Sequence, residues 1–307
     1  MTFCYICIVM KVLVYGSANI DYSYKVDHIC QVNETVSSIS MERHVGGKGA
    51  NQATAIAKSG SEVYFAGRIG RDGIDIGNSL EQAGADTRFL HVTEGMTGTA
   101  VIQIDRNGEN TILLYSGENC QQDREDIEVT ISSFEEGDIL LIQNEIDQLD
   151  YIIRLAHERG MIVIFNLAPF HSNLLELPLE MVDVFIVNEV EGAGLAGVED
   201  PTDRKELVKK LDEIRGNSTV ILTVGKHGSY LIDDSGVIHQ EAMGMEVVDT
   251  TAAGDTFIGY YIAARMRAYD NRKSLYYASK ASGITISRPG AAISIPTGDE
   301  VFGDQEE

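Results

Sequence analysis

DILLIQNEIDQLDYIIRLAHERGMIVIFNL, residues 138–167, reads as strand, helix, strand. The apolar runs at 138–143 and 162–167 are of strand length, and the stretch 147–159 between them is of helix length. The alternation continues with strands expected at 184–188 and 220–225 and helices at 124–133, 190–196 and 202–215. At this spacing strands and helices form βαβ units, which build a parallel sheet covered by helices on both faces. Ligands of such sheets bind beyond the carboxyl ends of the strands. Polar residues stand at those ends: Asn144 and Glu145, Asn166, Asn188 with Glu191, and Thr223 with Gly225 and Gly228. Several polar strand ends along one rim point to a binding site.

Upstream, the apolar run 12–15 stops at Gly16-Ser17 and reads as a buried strand. Asn19 and Asp21 follow at alternate positions. On an extended chain they share one face and could grip a hydroxylated ligand; a plain turn is the bland alternative. Residues 22–45 mix polar and β-branched types without helical period and read as short strands of a subsidiary sheet. The Asn107-Gly108 hairpin signal between 99–105 and 110–115 is assigned to the same sheet. Between them, Gly46-Gly47-Lys48-Gly49-Ala50-Asn51-Gln52-Ala53 runs into a helix at 50–59. Its glycines let a ligand approach the backbone, but Gly49 after Lys48 excludes a P-loop. A strand at 63–67 and a helix at 74–83 come next, and a hairpin joins 230–232 to 237–239.

Val247-Val248-Asp249-Thr250-Thr251-Ala252-Ala253-Gly254-Asp255-Thr256-Phe257 is expected to begin as a strand end and finish as a helix start. The first N–H groups of a helix lack intrahelical partners and carry part of the positive end of its dipole. With only Ala252, Ala253 and Gly254 in the turn, an anion could rest there. Asp255 beside such a hole is placed to accept a proton, although an Asp in a first turn also favours the helix by itself. Helices at 254–268 and 271–286 follow, and Arg288-Pro289-Gly290 closes the second.

At 307 residues the chain can bury a full core. Its net charge of -23 argues against nucleic acid and anionic membrane as partners, both of which want Lys and Arg. Cys4 and Cys7 form a lone CxxC without the further ligands a zinc site needs, and the scattered cysteines fit a reducing, cytoplasmic setting. Residues 1–9 are apolar, lack a basic flank and a cleavage site, and are too short to span a bilayer. They are expected to be an extension outside the fold.

Four motifs carry a resemblance covering roughly residues 11–297: Gly16-Ser17-Ala18-Asn19-Ile20-Asp21, the loop 46–53 quoted above, Asn188-Glu189-Val190-Glu191, and Asp249 to Phe257. In these the chain resembles the ribokinase-like (phosphofructokinase-B type) family of sugar kinases. The resemblance implies a doubly wound α/β fold at 10–307 with a small β lid from about 22–45 and 97–118. It implies phosphorylation of a sugar hydroxyl by ATP, with D-ribose the expected acceptor. Another pentose, a ketohexose or a nucleoside is the alternative within the family, and a non-catalytic sugar- or nucleotide-binding protein the alternative of another class.

By the same resemblance Asp255 is the catalytic base, and the N–H groups of Ala252, Ala253, Gly254 and Asp255 form the anion hole. Asn19, Asp21, Gly47, Lys48, Asn51 and Glu145 match sugar-contacting positions. Asn188 and Glu191 match the support for Mg²⁺ and phosphates, and Thr223, Gly225, Gly228 and Ser279 the nucleotide site. Asp249, Thr251, Thr285, Arg288, Gly290 and Ser294 match the loops that hold K⁺, several through backbone carbonyls. Pairing of two lids into a homodimer is expected, because a small sheet has exposed edges and an apolar face to cover.

Overall fold

The computed structural model describes residues 10–303. The extension expected at 1–9, with Cys4 and Cys7, and the last four residues, 304–307, lie outside the described residues. The strands are β1 (Val12–Tyr15), β2 (Asn19–Lys25), β3 (Ser40–Gly46), β4 (Val63–Gly70), β5 (Asp86–Thr93), β6 (Gly98–Ile104), β7 (Asn110–Tyr115), β8 (Ile139–Gln143), β9 (Ile162–Asn166), β10 (Val184–Asn188), β11 (Thr219–Thr223), β12 (Ser229–Asp233) and β13 (Gly236–Gln240). The helices are α1 (Lys48–Lys58), α2 (Ile74–Ala83), α3 (Arg124–Ser132), α4 (Leu149–Glu158), α5 (Glu189–Ala196), α6 (Arg204–Ile214), α7 (Ala253–Met266), α8 (Asn271–Ile286) and α9 (Gly298–Phe302).

Nine strands form one sheet in the order β13-β12-β11-β10-β9-β8-β1-β4-β5. All neighbours are parallel except β11–β12 and β12–β13. The period-two geometry of β1 shows why the strands read as continuous apolar runs. Leu13 and Tyr15 belong to a buried apolar layer that also holds Ile127 of α3, Ile152 of α4 and Leu211 of α6. Val12 and Val14 belong to the layer on the other face, with Ile56 of α1, Ile76 of α2, Ile262 of α7 and Leu275 of α8. With both faces covered, no position of β1 can be polar, and all four are buried. The doubly wound architecture expected from the alternation is the one observed.

The subsidiary sheet has the order β3-β2-β6-β7. Strand β2 leaves the end of β1 after three residues and pairs antiparallel with β3 and parallel with β6. Both segments expected to build this sheet do so, although the pairing begins at Asn19 rather than residue 22. Residues 117–120 are a 3₁₀ turn rather than sheet.

One local expectation needs correction, and two elements have no counterpart in the sequence reading. Val247 and Val248 are not a strand end: they are 61% and 58% exposed and lie in irregular chain, because β13 already ends the sheet on that side and Val248 N–H donates to the Ile286 carbonyl instead. Strand β5 has no counterpart in the sequence reading; as an edge strand it is mostly half-buried and shows no clean alternation. Helix α9 is also unanticipated, being a five-residue turn held by a capping box between Thr297 and Glu300.

Candidate active site

The site gathers where β1, β8, β9, β10 and β11 end, beneath the subsidiary sheet. Its first wall is the start of α1. Gly47 has φ +92°, a left-handed conformation that turns the chain sharply into the helix. Gly49 lies so close to the end of β1 that a Cβ there would stand 2.6 Å from Ser17 N. Ala50 N–H donates to the Ser17 carbonyl at 2.9 Å, locking the helix start to the strand end. The glycines therefore bring Lys48 and Asn51 up against the rim.

Lys48 Nζ donates to Glu145 Oε1 at 2.7 Å, and Ser17 Oγ donates to Glu145 Oε2 at 2.5 Å. Burial pulls the Lys48 ammonium down, but Glu145 outweighs it, with Asp255 and Glu191 adding, so the ammonium stands above its ordinary value. Asn19 is buried and its Oδ1 accepts from Asn119 Nδ2 at 2.7 Å. Two residues on, Asp21 points to the same side as expected for alternate strand positions. Its Oδ1 is buried without a partner. Burial, then the charge of Glu145, pushes the Asp21 carboxyl up to about 7.

Asp255 lies in the first turn of α7, which opens at Ala252 in the left-handed conformation (φ 59°). The N–H groups of Gly254 and Asp255 meet no acceptor among the described residues, whereas Thr256 N–H already bonds the Ala252 carbonyl. Asp255 Oδ2 accepts from Asn51 Nδ2 at 3.1 Å, and Oδ1 accepts from Gln52 Nε2 at 2.9 Å. Burial raises the Asp255 carboxyl, while Lys48, Gln52 and Asn51 hold it back. Gln52 and Asn119 are contacts that the sequence reading did not single out. Gln52 follows Asn51 inside a motif already quoted, so its position was visible but its partner, 203 residues away, was not.

A cavity of about 210 Å³ joins Lys48, Asn188, Glu191, Thr223, Ala253 and Asp255. Through Thr223, Ala253 and Gly254 it continues into a cavity of about 520 Å³ that also holds Gly225, Gly228 and Ser279. Phe257, Met245, Val247 and Ile286 give this second cavity apolar walls, fit for a flat heterocycle. Asn188 and Glu191 form a capping box at the start of α5, with Asn188 N–H and Nδ2 both donating to the Glu191 carboxylate at 2.9 and 2.7 Å. Burial raises the Glu191 carboxyl, against the hydrogen bond from Asn188 and the charge of Lys48. A larger cleft of about 870 Å³ lies beside α6 and contains none of the expected site residues.

The loops behind α7 also come together. Asp249 Oδ1 accepts from Thr251 N and Oγ1 at 2.9 and 2.6 Å, and its Oδ2 accepts from Gly290 N at 2.9 Å. Burial works against this carboxylate, but those donors leave it below its ordinary range. Thr285 Oγ1 turns inward to Thr256, Ser294 Oγ donates to the Ala291 carbonyl, and the Arg288 guanidinium bonds Glu300. Arg288 and Thr285 therefore offer the loop their backbone, not their side chains.

Comparison with known proteins gives the family and the fold. The model of the pfkB family carbohydrate kinases matches residues 9–298. The chain belongs to this family. A ribokinase of Staphylococcus aureus (strain COL) is 33% identical over 300 residues, covering 95% of this chain and 98% of that protein. The ribokinase of Cryptococcus neoformans var. grubii serotype A, solved in complex with ADP, superposes with a TM-score of 0.87 at 31% identity, over 96% of this chain and 99% of that one. The ribokinase of Arabidopsis thaliana, solved with ribose and ATP, gives 0.84 at 27% identity, over 96% and 98%. As a member of the family the chain is a carbohydrate kinase.

Proposed function

We propose that the chain transfers the γ-phosphoryl group of ATP to D-ribose, giving ribose 5-phosphate. One observation carries the reading: Asp255 bonds Asn51, Lys48 bonds Glu145, and Asp21 feels the charges of Lys48, Glu145 and Asp255, beside a groove that leads to a heterocycle-sized cavity. Ribose-binding groups would be Asn19, Asp21, Gly47, Lys48, Asn51 and Glu145. Carboxylates accept from vicinal hydroxyls, and an amide both donates and accepts. Asn51 Oδ1 and Asp21 Oδ1 are buried without partners, which is what a site awaiting hydroxyl donors requires.

Asp255 then accepts the hydroxyl proton as the sugar oxygen bonds phosphorus and ADP departs. The N–H groups of Gly254 and Asp255, which meet no acceptor among the described residues, would face the charge that develops on the transferred group, whereas the Ala253 N–H expected to join them donates to the Thr250 carbonyl at 3.2 Å. Mg²⁺ bound with the nucleotide would neutralise phosphate charge; Asn188 and Glu191 fit its support through water, since both Glu191 oxygens keep lone pairs free beyond the capping box. The nucleotide base would lie among Thr223, Gly225, Gly228 and Ser279. The loops tied by Asp249 fit a monovalent cation held by Asp249, Thr251, Thr285, Arg288, Gly290 and Ser294, mainly through carbonyls, and K⁺ there would steady the entry to α7.

Turnover on a panel of pentoses, ketohexoses and nucleosides with MgATP, with and without K⁺, tests this. The expected result is preference for ribose and a higher rate with K⁺. Turnover only on another acceptor would remove ribose, and a rate indifferent to K⁺ would remove the cation.

The subsidiary sheet is proposed to act as a lid over the sugar and as a dimer interface. Ile112, Leu113, Leu114 and Tyr115 on its edge strand β7 are 49–70% exposed, a run that a second lid would cover. Sedimentation at micromolar concentration is expected to give the dimer mass; a monomer overturns the pairing. No described helix is long and apolar enough to cross a membrane, and the free thiols Cys30 and Cys120 support a cytoplasmic setting, to be checked by cell fractionation.

A further inference from the structure

Behind Asp255 runs a chain of side-chain amides whose direction is set from its far end. The Ile186 carbonyl on β10 can only accept. Asn166, at the end of β9, must therefore present Nδ2 to it, and does so at 2.9 Å. That turns Asn166 Oδ1 toward α1, where it accepts from Gln52 Nε2 at 3.2 Å. Gln52 Nε2 has a second hydrogen, and this one is donated to Asp255 Oδ1 at 2.9 Å. The Gln52 carbonyl points the other way and accepts from Gln143 Nε2 on β8 at 2.7 Å.

If Gln52 were reversed, its oxygen would face two acceptors, Asn166 Oδ1 and Asp255 Oδ1, and its NH₂ would face the Gln143 NH₂. The observed polarity is thus the one in which every contact pairs a donor with an acceptor. The cost appears at the other end of the chain, where Gln143 Oε1 is buried with no donor. Gln52 and Gln143 are both fully buried, so water cannot substitute for these bonds. Asn51 differs: it bonds Asp255 Oδ2 at one end, but its own Oδ1 has no partner, so nothing fixes that amide in the same way.

We infer that Gln52, oriented by Asn166 and Gln143, is a positioning residue that keeps Asp255 Oδ1 committed as a hydrogen-bond acceptor and leaves Oδ2 as the atom that receives the proton. The inference rests on the reading of Asp255 as the base. A donor fixed at Oδ1 favours the charged carboxylate and holds its plane against the groove. A buried base without that donor would keep its proton to higher pH and be less often available.

Gln52→Met, similar in length and without the amide, tests this. Loss of one hydrogen bond to a charged group is expected to lower kcat by roughly 10–100-fold. The KM for the sugar is expected to stay within a few-fold, because Gln52 does not reach the groove. The acid limb of the kcat/KM–pH profile is expected to move to higher pH. Gln52→Glu keeps the shape but sets two carboxyls against each other, so the same limb should move further in the same direction. Should Gln52→Met fail to fold, as judged by its melting curve, Gln52→Glu carries the test alone. An unmoved acid limb in whichever variant folds, or a loss confined to KM, overturns the assignment. Asp255→Asn run alongside separates the two claims. If it retains activity, the base reading itself fails; if it is inactive while Gln52 variants keep the wild-type limb, only the role of Gln52 fails.

Discussion

Asp255→Ala is expected to lose roughly 10²–10⁴-fold in kcat while leaving nucleotide binding nearly intact. Asp255 lines the cavity beside Lys48 and Asn188, and the neighbouring carboxylates are committed to other partners. Glu145 is tied to Lys48 and Ser17, and Glu191 is tied to Asn188. Asp21 belongs to β2 and does not line the cavity that holds Asp255. The variant also leaves the amides of Asn51 and Gln52 without their acceptor, so some stability should be lost with the activity. Steady-state turnover, set beside nucleotide affinity and a melting curve, checks the prediction. A variant that turns over at the wild-type rate would remove the mechanism.

Asp21→Asn is expected to weaken the sugar and strengthen the fold at once. The carboxyl is raised from 3.8 to about 7, chiefly because burial penalises its charge. A folded state that binds the proton more tightly than the unfolded chain gains stability from it. That gain is fully present below pH about 4 and is lost as the pH rises to about 7. Above that, the ionised Asp21 costs on the order of a few kcal/mol. Asn removes the charge and keeps the shape. Its melting temperature should therefore exceed the wild type's at pH 8, with the difference shrinking toward pH 4. Meanwhile an acceptor for sugar hydroxyls is lost, and the KM for ribose is expected to rise by roughly 10–100-fold. Melts at several pH values and one sugar titration decide it. A lower melting temperature at pH 8 would mean that the ionised carboxylate is held by contacts the structure does not contain.

The two variants expose the same design. Asp21, Glu145, Glu191 and Asp255 surround one ammonium, Lys48, in a partly buried space. The excess of carboxylate is unfavourable for the empty fold and is suited to an uncharged polyol that arrives with hydroxyl donors. On the proposed reading, a chain of net charge -23 would meet a polyphosphate with helix N–H groups and a metal rather than with a basic surface.

Much of this was legible in the chain itself. Continuous apolar runs of strand length between helix-length stretches gave the βαβ alternation, because both faces of β1 and β8–β11 are covered and every such strand must be apolar. The glycines before α1 and the small residues before Asp255 were visible as places where backbone must come close to something. Edge elements were not legible: β5 is half-covered, α9 is one turn, and Val247-Val248 has strand propensity but no strand to pair with. Residue types, spacing and local conformation are properties of neighbours along the chain, and these the sequence determined alone. The order of the sheet, the raised carboxyl of Asp21 and the amide chain from Ile186 through Asn166 and Gln52 to Asp255 were decided only by the tertiary structure. They depend on which distant residues are buried together, and burial is what turns a side-chain amide into a fixed donor and a carboxylate into a base.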